Sequence, residues 1–214
     1  MLRIKQTIKS DWLAEHLSVS KIGTVFPAWH MIEVKEFDDD TAGDFDTDVW
    51  GAVNDNQRII PVIVDSFGGQ IYSLNRMLDT IAAAKKEGII IMTIGKSKMM
   101  SCGSVLVAAG TKGYRYTQPT ATMLIHEASS GSRGKKQELQ SDAAETDRLN
   151  TQLLQQLAIF ADKPKKFFVD LIHDVGHADL FVPAKEMVSL GLIDIIGEPV
   201  LNMTLTMDVE ITRK

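Results

Sequence analysis

The sequence contains a single cysteine, Cys102, among its 214 residues. One cysteine cannot form a disulfide within the chain, so a secreted framework held together by disulfides is excluded. The first residues, Met-Leu-Arg-Ile-Lys-Gln, contain no apolar core of a signal peptide. These absences lead us to expect a reducing compartment, for which the cytoplasm is the natural choice.

The chain also lacks an excess of positive charge and any long apolar run. Its 23 basic and 28 acidic residues give a formal net charge of -5, whereas a nucleic-acid partner requires a basic face. The longest apolar run, residues 89–94, is far shorter than the roughly 20 residues that cross a bilayer. We therefore expect neither a nucleic-acid partner nor a membrane partner.

Potential metal ligands are sparse as well. The one cluster is formed by His173, Asp174 and His177, and its spacing lacks the well-placed third ligand of a zinc site. His30 lies far from it in the sequence. We therefore expect no metal and no other cofactor.

What the sequence does contain is material for a core, because 44% of the residues are hydrophobic. The predicted elements begin with a strand (59–64), a glycine turn (68–69) and a helix (71–86). A second strand (89–94), a serine turn (101), a second helix (103–109) and a third strand (114–116) follow. This order predicts an α/β fold with parallel strands. Pro61 suggests that the first of these strands properly begins there.

Three further segments have clear signals. An acidic entry at residues 38–41 precedes a predicted helix over residues 42–53. Residues 138–160 predict a long helix with a narrow apolar stripe, which either projects from the core or meets a partner subunit. Residues 200–211 alternate and predict an edge strand. Residues 1–25 give no clear signal, and a single domain over residues 1–214 is the simplest organisation.

Ser101 follows a predicted strand and precedes a predicted helix. Serine is a favoured helix cap, and it becomes a nucleophile only when a histidine and oxyanion-stabilising N–H groups lie nearby. Cys102 is a rival nucleophile, although a buried small residue is its simpler interpretation. Ser104, one helical turn later, is more simply a packed hydroxyl.

Partners for such a nucleophile occur in three other turns. Gly68-Gly69 could be an ordinary turn, an oxyanion hole or a cradle for an extended substrate backbone. His126 ends an apolar strand, and Asp179 lies in a loop before the helix that Pro183 opens. Because active sites of parallel sheets gather at the carboxyl ends of strands, we expect Gly68, Ser101 and His126 to share one edge.

Four of these segments, in this order and spacing, resemble the ClpP family of caseinolytic serine proteases, within the ClpP/crotonase fold. Residues 65–69 (Asp-Ser-Phe-Gly-Gly) are similar to its Asn-Ser-Pro-Gly-Gly, and residues 100–104 (Met-Ser-Cys-Gly-Ser) to its Ala-Ser-Met-Gly-Ala/Ser. Residues 118–126 are similar to its segment ending in Met-Ile-His. Residues 179–194 are similar to its Asp-x-Phe and Gly-Leu-Ile-Asp segments, and the likeness runs from about residue 31 to residue 197.

The resemblance implies a βαβ superhelix with a projecting handle helix in residues 129–161, after an N-terminal segment of residues 1–30. It implies Ser101 as nucleophile, His126 as general base and Asp179 as the group that orients it. The backbone N–H groups of Gly68 and Cys102 would form the oxyanion hole. Gly69 and Glu127 are the residues expected to bind the substrate.

The resemblance also implies an assembly and a substrate. We expect a homo-oligomeric serine endopeptidase in a heptameric ring, with rings able to pair through the handle. An ATP-driven unfoldase would feed it peptides or unfolded proteins, while the protease itself binds no ATP and needs no cofactor.

The chain departs from the family pattern at several positions. Phe67 replaces a proline, Glu127-Ala128 replaces Gln-Pro, and Ala178 stands where the family has an arginine used in contacts between rings. Three alternatives therefore stay open. They are a crotonase-like acyl-CoA enzyme, a serine–lysine protease that uses Lys96 or Lys98, and a non-catalytic ring subunit.

Overall fold

The structure is a computed structural model that describes residues 2–10, 30–128, 131, 133–176 and 179–209. For residues 2–10 and 201–209 it describes the backbone. The chain divides into two compact units, one formed by residues 1–28 and 198–214 and the other by residues 29–197.

The smaller unit contains a two-stranded antiparallel sheet. Strand β1 (Leu2–Ser10) pairs with strand β9 (Leu201–Val209), with Leu2 opposite Val209. The alternating C-terminal segment is therefore a strand, as predicted, but its partner is β1 rather than the main sheet. Strand β1 was not predicted, because Gln6 interrupts its apolar alternation and its pairing partner lies almost a full chain length away.

The larger unit is an α/β fold around a seven-stranded sheet, in which parallel strands run in the order β2-β3-β4-β5-β8. These strands are β2 (Ile32–Val34), β3 (Ile59–Ser66), β4 (Ile90–Met100), β5 (Arg115–Thr117) and β8 (Ile195–Ile196). Strand β6 (Thr122–Ile125) pairs in parallel with the end of β4, and β7 (Leu180–Pro183) pairs antiparallel with β6. The predicted fold class is confirmed.

Six helices accompany the sheet in the described residues. They are α1 (Asp39–Asn54), α2 (Ile71–Lys86), α3 (Cys102–Ala108), α4 (Lys136–Phe160), α5 (Phe167–Asp174) and α6 (Ala184–Leu190). The acidic entry acts as predicted, since the Asp38 carboxylate accepts the Thr41 N–H at 2.8 Å and thereby caps α1. None of the described helices is both long enough and apolar enough to cross a membrane.

The central strands are longer than their apolar runs. Strand β3 begins at Ile59, so the predicted start at Pro61 is wrong; Pro61 is paired with β4 alone, because pairing with β2 begins at Val62. Strand β4 continues to Met100. Its residues 93–95 pair with β5, whereas its residues 98–100 pair with β6. One strand thus joins two parts of the sheet and ends directly at Ser101.

The core includes the whole of α3, whose seven residues are all buried. By contrast, α4 is exposed over its first half and buries only Leu149, Leu154, Leu157 and Ala158. The apolar stripe therefore holds only the C-terminal half of α4 against the core. The N-terminal half projects into solvent in the single chain.

Arg115 is a fully buried cation at the centre of the fold. Its guanidinium pairs with both carboxylate oxygens of Asp194, through Nε at 2.9 Å and Nη2 at 2.5 Å. Nη1 donates to the carbonyls of Ala108 at 3.4 Å and Phe160 at 2.9 Å, which are the last residues of α3 and α4. Burial alone would raise the pKa of Asp194, but the hydrogen bonds and charge of Arg115 outweigh it and lower that pKa.

Lys85 adds a second cation at the same helix end. Its Nζ donates to the carbonyls of Ala109 at 2.5 Å and Gly110 at 2.9 Å. Burial, together with the nearby Arg115 charge, lowers the pKa of Lys85 to about 8. The two cations together satisfy carbonyls that the C-terminus of α3 leaves without helical partners.

We expect Arg115→Met to lower the free energy of unfolding by about 3–5 kcal/mol, because it leaves Asp194 and two carbonyls without their buried partner. Urea denaturation measures the change. Lys112→Ala, which breaks an exposed pair with Asp162, is the matched control and should cost less than about 1 kcal/mol. Equal losses in the two variants would contradict the central role of Arg115.

Because the folded-state pKa of Asp194 is lowered, its stabilisation is present above the unfolded pKa and is lost as the pH falls through the folded pKa.

Candidate active site

Ser101 has a backbone conformation that side chains rarely adopt, with φ 54° and ψ -117°. Its N–H donates to the carbonyl of Leu124 in β6 at 2.9 Å. Ser101 occupies the N-cap position of α3, as predicted, but its side chain makes no capping hydrogen bond. Strain of this kind clusters at functional sites, which favours the nucleophile interpretation.

The Gly68-Gly69 turn packs directly against Ser101. A Cβ built on Gly68, whose φ is 103°, would lie 2.8 Å from the Ser101 Cβ and 3.3 Å from its Oγ. A Cβ on Gly69 would lie 2.5 Å from the carbonyl oxygen of Phe37. Both glycines are therefore required by close approach as well as by backbone conformation.

The Gly68 N–H already has a partner in the single chain. It donates to the Oγ of Ser66 at 3.0 Å, and Ser66 is fully buried. The group expected to stabilise an oxyanion is thus held in a polar contact within its own turn. Nothing in the sequence signalled this contact, because Ser66 reads as an ordinary residue of the turn.

Cys102 is buried, and its thiol donates to the carbonyl of Gly69 at 3.3 Å. Burial raises the pKa of this thiol, whereas a nucleophilic cysteine requires a lowered one. The side chain of Cys102 therefore fits a packing role, which leaves its backbone N–H as the part that could contribute to chemistry.

His126 and Asp179 adjoin paired ends of neighbouring strands. Met100 lies opposite Leu124 in the β4–β6 pair, and Ile125 lies opposite Leu180 in the β6–β7 pair. The three predicted catalytic residues adjoin these pairs. Ser101 follows Met100, His126 follows Ile125, and Asp179 precedes Leu180. The sheet register thus carries Ser101, His126 and Asp179 to the same edge.

The strand register alone does not join these three side chains by hydrogen bonds. Among the described residues, no hydrogen bond or ion pair joins the His126 side chain to Ser101 or to Asp179. The Ala128 N–H donates to Asn150 Oδ1 at 3.0 Å, which attaches the segment containing His126 and Glu127 to α4. Ala178, the position that departs from the family arginine, lies outside the described residues, as does His177.

The remaining candidates have other partners. Lys98 Nζ lies 3.0 Å from Asp65 Oδ1, so its nitrogen contacts a carboxylate rather than Ser101, which disfavours a Ser101–Lys98 pair. His30 pairs with Asp55 at 2.5 Å. Across the described ranges, no group of three side chains could hold a metal ion.

A polar cluster that the sequence did not signal joins α2 to α4. The Tyr72 hydroxyl donates to Glu145 Oε1 at 2.5 Å, and Arg148 holds both oxygens of the same carboxylate at 2.6 and 2.7 Å. Hydrogen bonds from Arg148 and Tyr72 lower the pKa of Glu145 to about 2. Since α2 starts two residues after Gly69, this cluster connects the glycine turn to the long helix.

The fold and this edge define an α/β protein with a strained serine at a strand–helix junction beside a Gly-Gly turn. Comparison with known families gives the same class, because the Clp protease family model matches residues 18–200. The chain therefore belongs to the Clp protease family.

Individual relatives are moderately similar. The chain is 34% identical over 140 residues to the ATP-dependent Clp protease proteolytic subunit 1 of Chlamydia felis, covering 65% of this chain and 66% of the relative. Subunit 2 of Chlamydia abortus gives 34% over 140 residues, with 65% of each chain covered. Subunit 1 of Leifsonia xyli subsp. xyli gives 29% over 150 residues, covering 70% and 73%. The chain thus spans just under two thirds of the length of the two chlamydial relatives.

We expect Gly68→Ala to lower the free energy of unfolding by about 2–5 kcal/mol, from backbone strain and from the clash with Ser101. Gly88→Ala is the matched control, since Gly88 also has a positive φ of 75° but open space around it, and strain alone should cost about 1–2 kcal/mol. Urea denaturation of both variants measures the difference. Equal costs would show that the glycine turn does not press on Ser101.

The Cys102 thiol should react slowly with a disulfide reagent such as DTNB in the folded protein. At pH 8, burial and the raised pKa should make the reaction at least roughly tenfold slower than in urea. Absorbance of the released thiolate measures both rates. Comparable rates would return Cys102 to the set of candidate nucleophiles.

Proposed function

We propose that this chain is a Clp-type serine endopeptidase that hydrolyses peptide bonds in peptides or unfolded proteins. Ser101 is the nucleophile, His126 the general base and Asp179 the residue that orients the histidine. The observation that carries the proposal is the strained Ser101, pressed against Gly68, at the sheet edge where the register also brings the ends of β6 and β7.

The chemistry follows from these positions. The Ser101 Oγ attacks the scissile carbonyl while His126 accepts its proton, and the resulting imidazolium is stabilised by the Asp179 carboxylate. His126 then gives the proton to the leaving amine as the carbon–nitrogen bond breaks. Water hydrolyses the acyl-enzyme in the second half, with His126 again acting as base and then as acid.

The tetrahedral intermediate needs hydrogen-bond donors that point at its oxyanion oxygen. The backbone N–H groups of Gly68 and Cys102 are our candidates, because Gly68 packs against Ser101 and Cys102 follows it. In the single chain the Gly68 N–H donates to Ser66 Oγ. The developing oxyanion, which carries more charge than a hydroxyl oxygen, would take over this donor during the reaction.

Assembly is part of the same proposal. The exposed first half of α4 offers a surface for contact with another subunit, and we propose that it contributes to homo-oligomeric rings, heptameric as in the family pattern. Contact through α4 would bear on Asn150 and Glu145, which connect it to the histidine segment and to α2. Delivery of unfolded substrates by an ATP-driven partner belongs to this proposal, as does binding of the substrate by Gly69 and Glu127.

We expect Ser101→Ala to lower kcat/KM for fluorogenic peptides by at least about 10³-fold and to abolish labelling by a fluorophosphonate. Ser189→Ala, which removes an exposed hydroxyl bonded only within α6, is the control and should retain both signals. Light scattering of each variant should give the same particle mass as the parent chain.

Other outcomes would select the alternatives. Rings without labelling or hydrolysis in the parent chain would mean a non-catalytic ring subunit. Hydrolysis of acyl-CoA thioesters that survives Ser101→Ala would mean a crotonase-like enzyme, in which the glycine turn acts without the serine.

A further inference from the structure

Ser66 is a fully buried polar residue at the end of β3, and the proposed reaction gives it no role. Its Oγ accepts the N–H of Gly68 at 3.0 Å. The start of α3 lies against its other side, because a Cβ built on Gly103 would lie 3.7 Å from the Ser66 Cβ. Ser66 is therefore enclosed between the sheet and the helix that begins directly after Ser101.

The hydrogen bond to Ser66 fixes the direction of the expected oxyanion donor. A backbone N–H points at its acceptor when the bond is well formed, and this acceptor is Ser66 Oγ rather than a substrate oxygen. The far side of the turn is fixed as well, since the Cys102 thiol donates to the carbonyl of Gly69 at 3.3 Å. In the single chain the Gly68 N–H is thus directed at a group of its own turn.

The peptide group between Phe67 and Gly68 has room to rotate. Rotation changes ψ of Phe67 and φ of Gly68, and glycine tolerates the widest range of φ. The Phe67 side chain is 78% exposed, with the Lys98 ammonium 4.8 Å from its ring centroid, so neither residue has a buried side chain that rotation would displace. A negatively charged oxygen competes well with a hydroxyl for this N–H, because hydrogen bonds to ions are roughly twice as strong as neutral ones.

We propose that Ser66 restrains the oxyanion donor: its hydroxyl holds the Gly68 N–H away from the reacting carbonyl, and this bond must be given up as the oxyanion forms. The inference rests on the proposed function, because it places the oxyanion beside Gly68 and Ser101. A donor that must first be released gives less stabilisation than one already aimed at the oxyanion. Ser66 is a positioning residue, since it acts through the Gly68 N–H rather than on the reacting atoms.

The same hydrogen bond has a structural benefit. Gly68 is partly buried, and a backbone N–H shielded from water without a partner costs free energy. Ser66 supplies that partner from within the turn. The bond therefore stabilises the fold and slows the chemistry, and these two effects have opposite signs in a variant that lacks the hydroxyl.

The test compares Ser66→Ala with the parent in the assembled full-length chain, using fluorogenic peptides. Removal of the acceptor should raise kcat by about two- to tenfold, the range that corresponds to the net strength of a neutral hydrogen bond. KM should stay within about twofold, because the donor acts on the transition state rather than on bound substrate. The urea midpoint should fall, since the turn loses a bond. A purely structural role would not give faster turnover in a less stable protein.

Two further variants sharpen the result. Ser66→Cys keeps the size of the side chain but offers a weak acceptor, so its kcat should lie between those of the parent and Ser66→Ala. Ser73→Ala is the matched control, because it removes another buried hydroxyl, which donates to Asp39 Oδ1 at 3.2 Å, and it should keep the parent kcat and KM. Circular dichroism shows whether each variant is folded.

A peptide boronate gives a second measurement, which uses the parent chain and does not depend on the folding of a variant. The Ser101 Oγ adds to boron as its proton passes to His126, and the tetrahedral adduct is negatively charged like the oxyanion. In a crystal structure of this adduct, the Gly68 N should lie within hydrogen-bond distance of a boronate oxygen and more than about 3.5 Å from Ser66 Oγ.

The outcomes separate this inference from the function on which it rests. An unchanged or lower kcat in folded Ser66→Ala, with Ser101 still labelled by a fluorophosphonate, would overturn the restraint and leave the proposed function intact. A boronate adduct in which the Gly68 N–H still donates to Ser66 would do the same. A parent chain that neither hydrolyses peptides nor reacts with the boronate at Ser101 would overturn the proposed function itself.

Discussion

The pairing of Arg115 with Asp194 is the interaction on which the rest of the larger unit depends. A guanidinium this deeply buried is tolerable only when its donors are matched, and here one carboxylate and two helix-terminal carbonyls match them. These partners join β5, the end of α3, the end of α4 and the segment after α6. Since α3 is only about 10 Å long at 1.5 Å per residue, fixing its end also limits the position of Ser101 at its start.

The second organising constraint is the exchange of neighbours along β4. Its first half pairs with β5 and its last residues pair with β6. Strands β5 and β6 therefore lie one after the other along the same edge of β4. The carboxyl end of β4 therefore meets the ends of β3, β6 and β7 in a small space.

The polar cluster of Tyr72, Glu145 and Arg148 is exposed, and exposed pairs contribute little energy to stability. This cluster is better suited to adjust the position of α4 than to hold the fold together.

Much of this arrangement follows from local sequence signals. Helix α2 has the predicted bounds, and α6 begins directly after Pro183, as the sequence indicates. The ends of β4 could not be predicted from its apolar run, because Gly95 to Met100 become a strand only through pairing with distant segments. The same holds for Pro61 and for β1, whose states depend on partners that periodicity does not reveal.

The candidate site was predictable in its residue types and order but not in its internal contacts. Turns after strands indicated Gly68, Ser101 and His126, because parallel strands place such turns at one edge. The Ser66–Gly68 hydrogen bond and the Lys98 contact with Phe67 depend on side-chain positions that follow from the packing of β3 on β4. A hydrogen-bonded triad of Ser101, His126 and Asp179 stays a prediction.

The left-handed backbone of Ser101 has a consequence for how this fold can change over generations. A serine in that conformation is less stable than a glycine would be, since glycine adopts positive φ without steric cost. Replacing Ser101, the proposed nucleophile, by glycine is thus favourable for folding while it removes the hydroxyl. A chain with glycine at this position would keep, or even gain, a sound scaffold, so on the proposed function only selection for activity maintains the serine.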